Sequence, residues 1–300
     1  MIIVRDVQQL RSAVALRRRS LGTGEEKKVG FVPTMGYLHE GHASLMRAAR
    51  EQSDIVVLSI FVNPIQFGPN EDFESYPRDE ERDAALARRE GVDILFIPTV
   101  EVMYPQPTHT KIRVSGLTDR LCGASRPGHF DGVTTVVAKL FNMVQPEYAF
   151  FGMKDAQQVA VLQQMVADLN MNVEIVPCPI VRENDGLALS SRNVYLSEEE
   201  REQALVLSRS LREARQGISQ GTIANVGELR SFLEAGIASA PLARIDYVEI
   251  LTFPSLEPLG AAERFDDIQE DVIAALAVFF GKTRLIDNMR LEKAEVLSHV

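Results

Sequence analysis

The segment Pro33-Thr-Met-Gly36-Tyr-Leu-His39-Glu-Gly41-His42 decides the fold of this chain. It follows the apolar residues 29–32, which predict a strand ending at Pro33, and it leads into residues 42–52, whose apolar side chains recur with helical spacing. Its glycines permit a sharp turn and a close approach to a ligand. A strand, such a turn and a helix predict a phosphate site, because a helix N-terminus offers free backbone N–H groups and the positive end of its dipole.

Two histidines, His39 and His42, lie three positions apart in this segment, so that both can face one side of a helix start. Imidazole N–H groups can donate to phosphate oxygens, and the ring can carry a proton near neutral pH. The alternatives are a tight turn with two surface histidines and a metal site. A metal site is disfavoured because no cysteine or third histidine lies nearby and the chain has 5 histidines in all.

Strand and helix patterns alternate through the first half of the chain, which predicts a Rossmann-like doubly wound parallel sheet with helices on both faces. Ligands of such sheets bind at the carboxyl ends of the strands, which here are expected after Val32, Phe61, Phe151 and Val176. Further strands are expected at residues 55–62, 92–97, 148–151 and 173–176, and further helices at residues 79–90, 133–144 and 155–169.

The pattern changes after about residue 182. Ser197 and Glu200 have the spacing of a capping box, which predicts a long helix to about residue 216. Since 300 residues exceed the usual size of one hydrophobic core, we expect a Rossmann-like domain over residues 1–183 and a smaller α+β domain over residues 184–300. The second domain is expected to hold a helix at 226–238, strands at 245–251, 272–280 and 284–286, and surface loops at 217–221 and 260–271.

Composition limits the possible partners and location. The net charge of -10 and the pI of about 5.1 argue against nucleic acid and anionic membranes as partners. The two cysteines, Cys122 and Cys178, cannot form a disulfide framework. The first residues lack the apolar run of a signal peptide, and the longest apolar stretch, 272–280, is shorter than the ~20 residues that span a bilayer. We therefore expect a cytoplasmic protein.

Polar residues in later segments suit phosphate or a small acid. Lys154 follows a predicted strand end, where a point cation can reach phosphate, and Ser190, Ser191 and Arg192 combine hydroxyl groups with a guanidinium fork. The alternative for these last three residues is an ordinary polar loop.

Gln66 and Gln158 can both donate and accept, as a hydroxy acid requires, although each alone is more typical of a protein surface. Three apolar residues could line the pocket for an apolar part of the acid, or they could pack in the protein core. They are Pro33, Met35 and Phe67.

The H-x-G-H order of residues 39–42 is similar to that of the nucleotidyltransferase superfamily, which includes class I aminoacyl-tRNA synthetases. With five further motifs, the chain closely resembles the pantothenate synthetase family, the ligases that join pantoate to β-alanine. The resemblance runs to about Asn288, and the tail 289–300 is assigned no role. The motifs are Phe61-Val-Asn-Pro-Ile-Gln66-Phe-Gly68, Tyr76-Pro-Arg78, Phe151-Gly-Met-Lys154-Asp155-Ala-Gln-Gln158, Leu187-Ala-Leu-Ser190-Ser-Arg192-Asn193 and Gly281-Lys-Thr-Arg-Leu-Ile-Asp-Asn288.

The resemblance implies ATP-dependent condensation of (R)-pantoate with β-alanine through a pantoyl-adenylate, releasing AMP and pyrophosphate, in pantothenate and coenzyme A biosynthesis. It implies Mg²⁺ with no named protein ligand, a homodimer, and a C-terminal domain that acts as a lid. His42, His39, Lys154 and Arg192 would be catalytic, and Gln66 and Gln158 would bind pantoate. The implied ATP site comprises Met35, Gly36, Tyr37, Leu38, His39, Glu40, Gly41, His42, Gly152, Met153, Lys154, Asp155, Val181, Leu189, Ser190, Ser191 and Arg192.

Two further residues, Arg126 and His129, belong to the segment Ser125-Arg126-Pro-Gly-His129. Arg126 would reach the dimer interface or the rim of the active site, and His129 is the kind of lone histidine that is usually structural. Three alternative functions stay open. They are nucleotidyl transfer to another small acid or a phosphate ester, a tRNA synthetase, and a nucleotide-binding module without chemistry.

Overall fold

The computed structural model describes residues 1–19, 27–69 and 71–293. Its contacts divide the chain into two compact units. The sheet unit comprises Met1–Met153 and Val161–Pro179, and the C-terminal unit comprises Lys154–Ala160 and Ile180–Val300. The sequence-based boundary lies a few residues beyond Pro179, and no sequence pattern sets Lys154–Ala160 apart.

The sheet unit contains a six-stranded sheet in which all neighbouring strands are parallel, in the order β1-β4-β3-β2-β5-β6. From β2 the chain adds β3 and β4 on one side and β5 and β6 on the other, so β2 and β5 flank the switch point where such sheets bind ligands. The predicted fold class is confirmed. The strands are β1 Ile2–Val4, β2 Val29–Thr34, β3 Ile55–Ile60, β4 Ile94–Phe96, β5 Tyr148–Gly152 and β6 Glu174–Cys178.

Helices connect these strands: α1 Val7–Arg19, α2 Glu40–Gln52, α3 Glu80–Arg89, α4 Val100–Met103, α5 Leu121–Ser125, α6 His129–Val144 and α7 Ala156–Asp168. The Asp79 side chain caps α3 by accepting the backbone N–H of Arg82, and Gly91 follows the helix with φ +77°. A core of buried side chains, among them Leu38, Met46 and Leu58, packs α2 on the sheet. Neither β1 nor α1 was predicted, since β1 has 3 residues and α1 is mostly polar.

Strand β2 does not stop at Pro33, as the sequence predicted, but runs to Thr34. The backbone N–H of Phe61 donates to the carbonyl of Thr34 at 3.0 Å. Pro33, one residue earlier, therefore turns its nitrogen away from β3. On that side the pairing of β2 with β5 has already ended at Phe31, so the missing N–H interrupts no ladder.

The C-terminal unit contains an antiparallel sheet of β7 Ala243–Phe253, β8 Asp271–Phe280 and β9 Thr283–Leu291, in that order. The predicted capping box is present, because Ser197 Oγ accepts the Glu200 N–H and Glu200 Oε2 accepts the Ser197 N–H, at 3.2 and 2.9 Å. The helices are α8 Glu198–Ala204, α9 Val206–Ser219 and α10 Val226–Ala238.

Three expectations for this unit need correction. The single long helix is two helices, α8 and α9, separated at Leu205. Gly217 was placed in a surface loop but lies buried in α9, where a Cβ would come 2.7 Å from Ile223 Cδ1. The last strand is longer than predicted because β9 pairs with β8 along its whole length.

Among the described residues, no helix is long and apolar enough to cross a membrane.

Candidate nucleotide and acid site

The turn between β2 and α2 has a backbone that only certain residues allow. Gly36 has φ +88° and Tyr37 has φ +48°. A Cβ on Gly36 would lie 2.9 Å from Ile60 Cγ2 and 3.1 Å from Asp83 Oδ2, so a larger residue would meet both strain and a close contact. The glycine predicted for a sharp turn is required here.

Asp83 holds this turn from α3. Its carboxylate accepts the backbone N–H of Tyr37 at 2.7 Å and that of Leu38 at 2.6 Å, and the residue is 1% exposed. Burial raises the pKa of Asp83, while the two hydrogen bonds favour the ionised form. Sequence analysis missed this residue because α3 reads as a charged surface helix. The sequence signal that could have identified Asp83 is its spacing from Ala87, four residues later, which places both residues on one face of the helix.

His39 and His42 cap α2 reciprocally. His39 Nδ1 accepts the backbone N–H of Gly41 at 3.1 Å, and His42 Nδ1 accepts the backbone N–H of His39 at 3.3 Å. The ring centroids lie 4.1 Å apart. Since a backbone N–H can only donate, both Nδ1 atoms are acceptors, and in each neutral ring the proton sits on Nε2. Each imidazole therefore provides one Nε2–H donor.

The prediction that this helix start offers free backbone N–H groups is wrong for most of the turn. The N–H of Gly36 donates to Thr34 Oγ1 at 3.3 Å, and the N–H of His42 donates to the carbonyl of His39 at 2.8 Å. Those of Tyr37, Leu38, His39 and Gly41 have the acceptors described above. The sequence shows where the backbone N–H groups of the turn are, but it does not show which groups accept hydrogen bonds from them.

Gln66 is buried, at 8% exposure, which contradicts its interpretation as a surface residue. It ends the short helical turn Pro64–Gln66 after β3. Its Nε2 donates to Met35 Sδ at 3.0 Å, so the described structure brings these two predicted residues together. Phe67 is half-buried, packs against the rings of Phe73 and Tyr76, with centroids 5.4 and 6.0 Å away, and lines the same cavity as Gln66, so both interpretations of this residue stay open.

His129 contacts the main chain of Gln66. Its Nδ1 lies 2.7 Å from the carbonyl oxygen of Gln66, which can only accept, so Nδ1 carries the proton. Its Nε2 lies 3.1 Å from Arg126 Nη1, which can only donate. Arg126 in turn donates from Nε to Glu71 Oε1 at 2.7 Å. Burial opposes ionisation of Glu71, but the hydrogen bonds and charge of Arg126 outweigh it, and the pKa of Glu71 is lowered.

Of the remaining predicted residues, Gly152 and Met153 belong to the sheet unit and the others to the C-terminal unit. Gly152 ends β5, Lys154 lies in the helical turn Met153–Asp155, and Gln158 is half-buried in α7. The Lys154 carbonyl accepts Nδ2 of Asn288 at 3.1 Å. Asn288 belongs to the C-terminal motif 281–288, to which the sequence had assigned no role.

The segment 181–192 forms a loop braced by β9. The Leu189 N–H donates to the Val181 carbonyl at 3.0 Å, which closes the loop at its base. Arg182 donates to Gly186 O and, through both terminal nitrogens, to the two oxygens of Asp287 at 2.6 and 2.8 Å. Asp287 is 2% exposed, and breaking such a buried ion pair is strongly destabilising. At the end of this segment, Ser190 Oγ accepts the N–H of Arg192 at 3.2 Å and so starts the helical turn Ser191–Tyr195.

Mg²⁺ requires oxygen ligands, whereas the histidines of the turn offer N–H donors. The described residues include no group of three or more His, Cys, Asp or Glu that could hold a metal ion. The turn presents imidazole N–H groups, which complement phosphate oxygens rather than a cation. Mg²⁺ commonly keeps water and phosphate ligands, so an ion that arrives bound to a nucleotide fits these residues.

Comparisons with known proteins agree with the motifs. A family model described as Pantoate-beta-alanine ligase matches residues 2–290. The curated pantothenate synthetase of Caldicellulosiruptor bescii is 53% identical over 292 residues, which cover 97% of this chain and 99% of that protein. The crystal structure of pantothenate synthetase from Thermus thermophilus matches with a TM-score of 0.86 and 49% identity, over 96% of this chain and 99% of that one.

A second solved structure is the pantoate-beta-alanine ligase from Francisella tularensis, complexed with beta-gamma ATP and beta-alanine. It matches with a TM-score of 0.75 and 35% identity, over 98% of each chain. The family match ends close to Asn288, where the motif resemblance also ends. The resemblance drawn from the motifs is confirmed, and the chain belongs to the pantoate–β-alanine ligase family.

Proposed function

We propose that this chain is a ligase that condenses (R)-pantoate with β-alanine, consuming ATP, through a pantoyl-adenylate, and supplies pantothenate for coenzyme A biosynthesis. Family membership over residues 2–290 supports the reaction. The observation that carries the site assignment is the reciprocal histidine cap, because it provides two Nε2–H donors at the N-terminus of α2. Donors at this place suit the phosphates of a nucleotide.

In the first step, a pantoate carboxylate oxygen attacks the α-phosphorus of ATP in line and pyrophosphate leaves. Catalysis of such a transfer consists mainly of positioning and of stabilising charge on the phosphate oxygens. His39 and His42 donate from Nε2 to these oxygens. Lys154, Ser190, Ser191 and Arg192 supply the remaining positive charge and hydroxyl donors, and Gln66 and Gln158 bind pantoate.

In the second step, the neutral amine of β-alanine attacks the pantoyl carbonyl and AMP leaves. The structure argues for a particular role of His42 here. Because its Nδ1 accepts the N–H of His39, its Nε2 carries a proton and cannot act as a base in this tautomer. We therefore assign His42 to donation toward the departing phosphate, and the amine proton is released to water.

Several finer points stay predictions from the sequence. They are the homodimer, the cytoplasmic location and the lid role of the C-terminal domain. Mg²⁺ is proposed to enter as part of the ATP complex, held by phosphate oxygens and water.

Isotope exchange between pyrophosphate and ATP tests the adenylate directly. We expect exchange that depends on pantoate and needs no β-alanine, and AMP and pantothenate in equal amounts once β-alanine is added. Exchange without pantoate but with another small acid would contradict the substrate assignment and support a related nucleotidyltransferase. An absence of exchange with any acid would contradict the adenylate mechanism.

A further inference from the structure

Three side chains of the sheet unit, Tyr104, Asn63 and Gln66, form a series of hydrogen bonds that we call the amide series. Tyr104 Oη lies 2.7 Å from Asn63 Oδ1, and Asn63 Nδ2 lies 3.0 Å from Gln66 Oε1. Gln66 Nε2 continues to Met35 Sδ at 3.0 Å. Asn63 is 1% exposed and Gln66 is 8% exposed, so each must satisfy its polar atoms within the protein.

The donors and acceptors of the amide series have only one consistent assignment. Asn63 Nδ2 also lies 3.2 Å from the carbonyl oxygen of Gly132, which can only accept. The Asn63 atom facing Gly132 and Gln66 must therefore be the NH₂ group, and its oxygen must face Tyr104. A reversed Asn63 amide would bring its oxygen against the Gly132 carbonyl and the Gln66 Oε1 together. Gln66 accepts from Asn63 through Oε1, and its NH₂ group is directed to the Met35 side.

Tyr104 is the donor that starts this series. Burial raises the pKa of its hydroxyl, so the group is a neutral donor at all ordinary pH values. Its ring is held by Phe61, with centroids 6.1 Å apart, and by Lys139, whose Nζ lies 4.9 Å from the centroid. The Tyr104 hydroxyl thus has a fixed position from which it donates to Asn63 Oδ1 and reinforces the amide orientation that the Gly132 carbonyl sets.

The main chain of Gln66 is held separately from its side chain. The carbonyl of Gln66 faces His129 Nδ1 at 2.7 Å, and α6 lies so close that a Cβ on Gly132 would come within 2.6 Å of Gln66 Cα. Loss of the Tyr104 hydroxyl would leave the buried Asn63 Oδ1 without its donor and so loosen the hold of Asn63 on the Gln66 carboxamide, while the backbone beneath it stays in place. Because the main chain and the side chain of Gln66 are held by different residues, the orientation of the Gln66 carboxamide can be tested separately from the position of its backbone.

We propose that Tyr104 is a positioning residue for substrate recognition, which acts through Asn63 to present the Gln66 carboxamide as a donor only. The acid bound there must offer Gln66 an oxygen acceptor, such as a carboxylate or a hydroxyl oxygen, and an analogue with only N–H donors at that point is rejected. Met35 Sδ is a weak acceptor, so a substrate oxygen competes with it favourably. The inference rests on the proposed function, in which Gln66 binds pantoate.

The test is a double-mutant cycle on the pantoate KM, measured by pyrophosphate exchange. Tyr104→Phe keeps the ring and removes the hydroxyl. We expect it to raise the pantoate KM about tenfold, while the ATP KM changes less than twofold. In a Gln66→Ala background, where pantoate binding is already weakened, Tyr104→Phe is expected to have no further effect. The matched control is Tyr148→Phe, which removes a hydroxyl that accepts from Lys28 at 2.9 Å and should leave both KM values unchanged.

Asn63→Asp is the second variant in case Tyr104→Phe folds poorly, as judged by circular dichroism. It replaces the NH₂ group facing Gln66 by an oxygen, and we expect a larger rise in the pantoate KM than with Tyr104→Phe. An unchanged pantoate KM in Tyr104→Phe, or an equal rise in the Gln66→Ala background, would overturn the positioning role alone. A wild-type protein without any pantoate-dependent exchange would overturn the proposed function and this inference with it.

Discussion

His39 and His42 each use Nδ1 to accept a backbone N–H, and this determines which chemistry each ring can do. The pattern of the sequence located both histidines at the start of a helix that follows a strand, as the structure has them. It could not show the tautomer, since that depends on which nitrogen meets a main-chain donor. It also overestimated the free backbone N–H groups, because Asp83, far away in sequence, accepts two of them.

His39→Asn separates capping from catalysis. Asparagine is a good N-cap, so the free energy of unfolding should change by only a few tenths of a kcal/mol. The shorter side chain removes the Nε2–H donor, and we expect adenylation to slow by about a hundredfold or more, as for loss of one charge-stabilising donor. Urea unfolding and pyrophosphate exchange measure the two effects. His39→Ala is the comparison, with the same loss of rate and a further ~1 kcal/mol loss of stability.

The Glu71–Arg126 pair predicts a pH dependence of stability. The pKa of Glu71 is lowered in the folded protein from its usual 4.5, so the pair contributes stability above pH 4.5 that is lost as the pH falls through the lowered value. Glu71→Gln should reduce the free energy of unfolding by about 1 kcal/mol at pH 7. The difference from wild type should shrink below about pH 4, where urea unfolding is repeated. A difference that stays constant with pH would contradict this account.

At the level of elements, helices with a strong apolar periodicity were predicted well, but a break between two consecutive helices was not predicted. Helix α10 has the predicted bounds, and the capping box at Ser197 is present. The break at Leu205 escaped prediction because residues on both sides continue a helical pattern. Gln66 was misjudged because burial of a polar side chain depends on distant partners, here Asn63 and Met35.

Gly132 allows α6 to pack against the turn Pro64–Gln66. A Cβ there would lie 2.4 Å from the carbonyl oxygen of Ile65 and 2.6 Å from Gln66 Cα. Alanine is the better helix former by about 1 kcal/mol, but the clash is with main-chain atoms that cannot rotate away. We expect Gly132→Ala to lose about 1–3 kcal/mol of stability and to raise the pantoate KM. Asn142→Ala, on the exposed side of α6, is the control. Normal stability in Gly132→Ala would contradict the packing argument.

Strand β9 supports Lys154 through Asn288, whose Nδ2 donates to the Lys154 carbonyl. Asn288→Ala removes this donor without removing any charge. We expect the ATP KM to rise several-fold, because the Lys154 main chain loses one anchor, while the pantoate KM stays within twofold. Lys282→Ala, at the exposed turn of the same hairpin, is the control. An ATP KM equal to that of wild type would exclude a positioning role for Asn288.

At the level of the whole molecule, the class of fold was predictable because alternating strands and helices imply a parallel sheet, whereas the order of the strands was not predicted. The division into units was only partly visible, since Lys154–Ala160 joins the C-terminal unit through contacts that no local pattern encodes. The predicted site residues accordingly come from both units. Composition led only to expectations about partners and gave no substrate. The substrate came from the motifs and the family that they resemble.

Ligand binding should be measurable on the whole molecule without any turnover. ATP with Mg²⁺ at about a hundred times its Kd should stabilise the folded state by about 2.7 kcal/mol. Thermal unfolding with and without the nucleotide gives this shift. The doubly substituted His39→Asn, His42→Asn protein should show a smaller shift at the same ATP concentration. An equal shift in both proteins would place the triphosphate elsewhere.

The reciprocal cap of His39 and His42 also has a consequence for engineering. Each ring is oriented by a backbone N–H, that of Gly41 for His39 and that of His39 for His42, so neither of these bonds depends on the side chain of the other histidine. Replacing one histidine therefore leaves the hydrogen bond that orients the other in place and removes the contact between the rings, whose centroids lie 4.1 Å apart. A designer who wishes to retune this turn for another nucleotide or another acid can therefore vary the two positions one at a time and measure the contribution of each ring separately.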